Sequence, residues 1–327
     1  MDQVRIGTLG AARITPAALV KPARVVDEAS VVAVAARDPE RARKFAAKHG
    51  IARVHQSYDD LLADPDVDAV YNPLPNSLHA EWTLRALDAG KHVLCEKPFT
   101  SNRAEAEQVA AAARASGLVV VEAFHYRYHP LAERVREIVA GGSLGAVRHV
   151  ETWLCFPLPM LNDIRYRYDL AGGATMDVGC YAIHQLRLLG GGTPSVVSAR
   201  ARVLRPEVDR MMTADFRFPD GATGRMTCSM LSTHLLRMKA TVVGERGRLD
   251  VFNLMAPHMF HRLRVRTPEG TARERVAGEP TYTYQLRAFV GAVLRGEPVL
   301  TPPEDAIVNM GLIDDVYRAA GLAVRGT

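Results

Sequence analysis

The tripeptide Glu96-Lys97-Pro98 carries the plainest chemistry in the sequence. It directly follows an apolar run, His92-Val93-Leu94-Cys95, that reads as a short strand. A lysine at such a strand end can donate to a substrate oxygen and stabilise negative charge there, and partial desolvation would lower its pKa. The chain has only six lysines against 35 arginines, and a lysine taken singly reads as a solvated surface charge. A second feature is the stretch Gly7-Thr8-Leu9-Gly10-Ala11-Ala12-Arg13-Ile14-Thr15, which follows the first strand-like run. A phosphate-binding turn needs small residues where the backbone approaches the pyrophosphate, and a helix N-terminus behind them to favour the anion. Gly10 and Ala12 meet the first need, Arg13 and Ile14 continue the turn, and Thr15-Pro16 is expected to open the helix. Alanine at position 12 departs from the G-x-G-x-x-G pattern, so the placement between strand and helix carries the argument.

Two further stretches belong with these. At the end of the second strand-like run stands Ala36-Arg37-Asp38. Asp38 before Pro39 reads as a helix cap, which leaves Arg37 to pair with a 2′-phosphate through its planar fork. That favours NADP(H) over NAD(H). The segment Tyr71-Asn72-Pro73-Leu74-Pro75-Asn76-Ser77-Leu78-His79 ends another strand in a proline loop, at the carboxyl edge where doubly wound folds bind ligands. Leu74, Asn76, His79 and Glu96 therefore join Lys97 as candidate cofactor contacts. Taken singly, Asn76 reads as the cap of the next helix and His79 as a packed residue.

The elements that must position these residues follow from periodicity. From Val4 to Glu122 short β-branched runs alternate with alanine-rich helical stretches, the pattern of a parallel sheet wrapped by helices. Six strands are expected, at 4–7, 31–36, around 54, 69–72, 92–95 and 119–122. Beyond a helix near 131–139 the pattern changes to seven strand-like segments, at 147–155, 196–204, 213–218, 223–230, 239–243, 249–252 and 263–267. Turn signals such as Pro219-Asp220-Gly221 separate several of them and argue for a mostly antiparallel sheet. Two helices close the chain, near 282–294 and 303–320. The expected organisation is an α/β Rossmann domain, a doubly wound parallel sheet, over 1–124. An α+β domain with an open, mostly antiparallel sheet follows over 125–327, for substrate binding and self-association, its C-terminal helix free to pack back on the first. A sheet face bare of helices calls for a partner, so a homodimer or homotetramer through that sheet is expected.

Composition narrows the classes. The 327 residues, 48% hydrophobic and 24% charged, fit an ordinary globular enzyme. The net charge of +5 is spread along the chain and interleaved with acids, which argues against a nucleic-acid partner. No apolar run is long enough for a membrane span and no leader pattern opens the sequence, so a cytoplasmic protein is expected. Cys95, Cys155, Cys180 and Cys228 lie far apart and read as buried free thiols. No histidine–carboxylate spacing argues for a metal.

Five blocks taken in order resemble the Gfo/Idh/MocA family, that of glucose-fructose oxidoreductase, inositol dehydrogenase and dimeric dihydrodiol dehydrogenase, over nearly the full length. They are Gly10-Ala11-Ala12-Arg13-Ile14, Leu74-Pro75-Asn76-Ser77-Leu78-His79, Glu96-Lys97-Pro98, Glu122 through Pro130, and Gly172-Gly173-Ala174-Thr175-Met176-Asp177-Val178-Gly179-Cys180-Tyr181. The resemblance implies that Lys97 lies beside nicotinamide and substrate, and that a cis peptide bond precedes Pro98. It implies a catalytic position for Tyr181, where sugar and inositol dehydrogenases of the family often carry histidine. If Val178-Gly179 continues a helix, Asp177 and Tyr181 share one face. Tyr181 would then give or take the hydroxyl proton, its phenol lowered from a reference pKa of about 10 by neighbouring positive charge. Asp177 would orient the substrate hydroxyl or Lys97. By the same resemblance Arg165 reaches cofactor or substrate, while His125, Arg127 and His184 are candidates to border the substrate. The implied function is NAD(P)-dependent hydride transfer at a carbinol or carbonyl carbon of a small polyhydroxylated substrate: a sugar, a cyclitol or a dihydrodiol. A non-catalytic dinucleotide sensor, or internal redox on sugars with a tightly held cofactor, are the competing readings.

Overall fold

The computed structural model describes residues 2–327. It forms two compact units, one running to His125 and taking in Tyr282–Ile307, the other comprising Tyr126–Thr281 and Val308–Thr327.

In the first unit β1 (Val4–Leu9) leads through a wide helical turn at Pro16–Val20 into the short α1 (Lys21–Ala23). Then come β2 (Ala29–Ala35), α2 (Pro39–His49), β3 (Arg53–His55), α3 (Tyr58–Ala63) and β4 (Ala69–Asn72), followed by α4 (His79–Asp88), β5 (His92–Cys95), α5 (Arg103–Ser116) and β6 (Val120–Glu122). All six strands are parallel, in the order β3-β2-β1-β4-β5-β6. The order reverses between β1 and β4, which opens a crevice at the carboxyl ends of the strands. Central strands covered on both faces must be apolar throughout, and Val70, Tyr71, Val93 and Leu94 are fully buried. Asp38 caps α2 by accepting from the backbone N–H groups of Glu40 and Arg41, with Pro39 behind it.

The first helical turn opens at Thr15-Pro16 as expected, whereas Asn76 does not take the N-cap position expected of it. Asn76 is already the first residue of a single 3-10 turn, Asn76–Leu78, that runs into α4 without a side-chain cap. Thr15 stands before the first helical turn, but its own backbone is helical (φ −50°, ψ −40°) and its side chain caps nothing. A capping side chain reaches back from an extended backbone, which Thr15 does not have.

The second unit opens with a short helical turn and α6 (Pro130–Ala140), then β7 (Val147–Cys155). A wide turn at Thr175–Gly179 runs directly into α7 (Cys180–Gly190). The strands β8 (Ser195–Arg205), β9 (Val208–Arg217), β10 (Thr223–Ser229), β11 (Arg237–Gly244), β12 (Arg248–Phe252), β13 (Arg262–Thr267) and β14 (Gly270–Glu274) complete an eight-stranded sheet. Its order is β14-β13-β12-β11-β7-β10-β9-β8, antiparallel except where β7 meets β10. β14 is an addition to the sequence expectation: an exposed hairpin arm with no apolar alternation to announce it. α8 (Thr281–Arg295) and α9 (Pro303–Ala319) close the chain.

α7 packs on β7, β10 and β11, over a face where Val150, Met226, Val242, Leu249 and Val251 are fully buried. The opposite face presents His149, Glu151, Trp153, Arg225, Lys239, Arg248 and Asp250. Ion pairs lace it: Arg225 to Asp215 at 2.6 Å, and Lys239, Arg248 and Arg266 onto Asp250 at 3.1, 3.0 and 3.0 Å. All four cysteines are buried thiols. Among the described residues no helix is long and apolar enough to cross a membrane.

Candidate active site

The glycine-rich turn has the geometry a dinucleotide requires. Gly10 adopts φ +96°, a backbone that side-chain-bearing residues rarely take, and a Cβ there would come within 3.4 Å of Leu74 Cδ2. Thr15 Oγ1 behind the turn is fully buried without a hydrogen-bond partner, a polar atom suited to a bound oxygen. Ala11 O accepts from Arg41 Nη2 at 2.8 Å, so α2 braces the turn. Arg13 and Arg37 are exposed, Ala12 is half-buried and Ile14 is exposed. Tyr58 hydrogen-bonds the backbone of Arg37, and burial, ahead of any neighbouring charge, pushes its phenol above the usual range.

Lys97 is half-buried, and the Lys97–Pro98 bond is cis. Glu96 beside it is buried and accepts from Tyr71 Oη at 2.7 Å, which anchors the tripeptide to β4. His79, expected as a cofactor contact, has instead the place of a brace: its ring is buried, with Nδ1 2.8 Å from Pro98 O and Nε2 2.8 Å from Leu74 O. It ties the proline loop to the segment after Lys97. A neutral imidazole has one N–H and donates to one carbonyl at a time. Burial first, with Lys97 adding repulsion, lowers His79 to about 4. Leu74 is buried beneath the loop and Asn76 half-buried at its end.

His125, three residues past the end of β6, stacks on Tyr282, ring centroids 4.1 Å apart. Burial, then the charge of Glu96, raises the Tyr282 phenol well above its ordinary value. Tyr282 was not among the expected site residues; it arrives from far along the chain, and no local signal ties it to Glu96.

In the second unit the wide turn Thr175–Gly179 brings Asp177 and Tyr181 onto one side of a continuous helical segment. Tyr181 is buried, its ring 6.1 Å from that of Tyr126. Tyr126 in turn shares a 2.5 Å hydrogen bond with His184 Nδ1, so His184 supports the tyrosines from behind. Arg165, expected to reach cofactor or substrate, bridges two carboxylates: Asp163 at 3.0 Å and Asp177 at 3.1 Å. The charge of Asp177, foremost, holds Arg165 protonated. Burial and the same two carboxylates push Tyr166 up to about 12, so it remains a neutral donor to Leu158 O at 2.9 Å. Arg127 is half-buried, with Nη1 buried and without a partner.

The fold and the turn define a dinucleotide-binding oxidoreductase domain joined to a second domain with its own sheet. Residues 4–124 match the model of the oxidoreductase family with an NAD-binding Rossmann fold, and residues 132–250 match that of the GFO/IDH/MocA C-terminal domain. The chain is 39% identical over 321 residues to a D-xylose 1-dehydrogenase (NADP(+)) of Haloferax volcanii, with 96% of each chain covered. It is 36% identical to the trans-1,2-dihydrobenzene-1,2-diol dehydrogenase of Mus musculus over 70% of this chain and 68% of that one. Among solved structures, a 3-ketoreductase from Actinomadura kijaniata in complex with NADP and TDP-benzene superposes with a TM-score of 0.90 at 32% identity, covering 97% of this chain and 98% of that one. The chain belongs to the Gfo/Idh/MocA family of NAD(P)-dependent oxidoreductases.

Proposed function

We propose that the protein is an NADP(H)-dependent dehydrogenase or reductase acting on the carbinol or carbonyl carbon of a sugar or a related polyhydroxylated ring. The observation that carries the reading is the wide turn that sets Asp177, held by Arg165, and buried Tyr181 on one side of one helical segment. The names of the relatives support it: an NADP-dependent xylose dehydrogenase, a dihydrodiol dehydrogenase, and a ketoreductase complexed with NADP and a TDP compound. That ketoreductase also has solved forms in which a lysine or a tyrosine is replaced, the two separated by the same number of positions as Lys97 and Tyr181. An intact lysine and tyrosine weigh against a mere dinucleotide sensor.

Gly10 and Ala12, with Thr15 behind them, would hold the pyrophosphate, and Arg37 the 2′-phosphate. When bound, the nicotinamide supplies or accepts the hydride. Tyr181 takes the hydroxyl proton during oxidation and returns it to the carbonyl oxygen during reduction. Lys97 stabilises the negative charge that develops on that oxygen. Asp177 fixes the direction of the substrate hydroxyl and is itself fixed by Arg165. We further propose that the second unit recognises the substrate and that its open sheet face pairs two copies of the chain, in the cytoplasm.

Titration with NADPH and NADH separately, followed by nicotinamide fluorescence, tests the cofactor, and turnover over a panel of aldoses, ketosugars and diols tests the substrate class. Tighter binding of NADPH together with turnover of a sugar is expected; binding of neither nucleotide would overturn the reading.

A further inference from the structure

The segment bearing Asp177 and Tyr181 is anchored by a residue from the far end of the chain. Arg325, third from the C-terminus, is fully buried, which is rare for arginine without a dense set of partners. Its Nε donates to Gly172 O at 2.8 Å, Nη1 to Ala323 O at 2.8 Å and Nη2 to Glu207 O at 2.5 Å. Nη2 also lies 3.3 Å from Asp209 Oδ1, and the guanidinium sits 4.0 Å over the ring of Tyr317. Asp209 is equally buried and fully engaged. Its Oδ1 accepts from Tyr317 Oη at 3.0 Å, and its Oδ2 accepts from both the backbone N–H and the hydroxyl of Thr175, each at 2.7 Å.

Thr175 is the first residue of the turn that contains Asp177, and the residue before it, Ala174, supplies no side-chain cap. The Asp209 carboxylate does that work from another strand. Asp177 N donates to Gly173 O at 3.0 Å, and the carbonyl of the neighbouring Gly172 is the one Arg325 holds. The glycine pair is fitted to this arrangement. A Cβ on Gly173 would fall 2.2 Å from Asp209 Oδ1, and one on Gly172 would fall 2.6 Å from Arg165 O. Hydrogen bonds thus run from Arg325 to Gly172 O and from Thr175 to Asp209, the ion pair with Arg165 holds Asp177 itself, and both glycines lie too close to their neighbours to carry a side chain.

We propose that Arg325 and Asp209 are positioning residues for the reaction: through them the C-terminal tail fixes the turn that presents Asp177 and Tyr181. This rests on the catalytic reading of those two residues given above. A displacement of about 1 Å at reacting groups can cost on the order of a hundred-fold in rate, so a clamp on the start of the turn is felt at its end. If the pair served stability alone, its loss would lower the melting temperature and leave turnover by the folded protein unchanged.

The test compares Arg325→Lys, Asp209→Asn and Thr175→Val with Tyr181→Phe in the full chain, using the best substrate found by screening. Lysine keeps the charge opposite Asp209 but cannot span the Gly172 and Glu207 carbonyls as the planar fork does. Arg325→Lys is expected to bind NADPH within about two-fold of the parent and to lower kcat by roughly ten-fold or more. KM should change far less, and the pH profile of kcat should shift. Combined with Tyr181→Phe, it should lower kcat little beyond Tyr181→Phe alone, since groups acting as a unit are not additive. If Arg325→Lys does not fold at the assay temperature, Thr175→Val, which removes one hydrogen bond to Asp209, decides by the same criteria. Parental kcat and pH profile in the clamp variants, beside an impaired Tyr181→Phe, would overturn the clamp alone. Parental kcat in Tyr181→Phe would overturn the catalytic reading and the clamp with it.

Discussion

In the proposed mechanism Tyr181 and Lys97 carry the chemical step, and each predicts its own signature. Losing a general acid or base costs about 10²–10⁴-fold in rate, so Tyr181→Phe and Lys97→Met should lower kcat by at least that lower bound while NADPH affinity stays within a few-fold. Steady-state kinetics and fluorescence titration read both quantities. Arg37 is proposed to hold the 2′-phosphate at the other end of the cofactor. A hydrogen bond to a charged group contributes about 1.5–3 kcal/mol, so Arg37→Ala should weaken NADPH binding roughly 10- to 150-fold and leave NADH binding nearly unaltered. His79 makes a prediction about pH. Its folded value is depressed to about 4 from an ordinary 6.5, so the unfolded chain binds the proton more readily. Stability from the neutral ring is complete above about pH 6.5 and is lost as pH falls towards 4. Urea midpoints measured between pH 7 and pH 4.5 should fall more steeply for the parent than for His79→Gln, and equal slopes would show that another group dominates.

At the scale of elements, the proposed function depends on two turns, one in each unit. The glycine-rich turn needs the positive φ of Gly10, and the segment before Asp177 needs Gly173, at φ +135°, pressed against Asp209. Gly173→Ala adds strain at a backbone region alanine rarely takes and pushes a methyl into a buried carboxylate. The expected result is a destabilisation of at least about 2 kcal/mol, read as a lower urea midpoint, together with loss of turnover. Gly221, in the tight turn between β9 and β10, provides the comparison. It also has a positive φ, +89°, but no heavy atom lies within 4 Å of its Cβ position, so Gly221→Ala should cost backbone strain alone and spare kcat.

For the whole molecule, the open sheet face is where self-association is expected. It is half-buried and charged rather than greasy, with Trp153 under Arg237 at 3.7 Å and acids and bases interleaved, which suits a face that meets a second copy of itself. Sedimentation should give twice the chain mass or more, and Trp153→Glu with Arg225→Glu should shift the protein toward the monomer without loss of NADPH binding. A monomeric parent would remove the dimer proposal and leave the oxidoreductase reading standing.

Sequence by itself determined the parts whose cause is local. The alternation of apolar runs and alanine-rich helices gave the six parallel strands, Asp38-Pro39 gave the start of α2, and the ordered blocks around Gly10, Lys97 and Tyr181 gave the candidate chemistry. It read Asn76 as the cap of the next helix, whereas Asn76 already lies inside a 3-10 turn, because where the chain first turns depends on local backbone angles that composition does not fix. It passed over β14, whose exposed residues carry no hydrophobic period. Only the tertiary structure decided that Tyr282 stacks on His125, that His79 spends its ring on two carbonyls, and that Arg325 and Asp209 hold the turn before Asp177. These are contacts between residues far apart in the chain, formed where burial leaves a charged or polar group no choice but to find a partner, and no local pattern records which partner that will be.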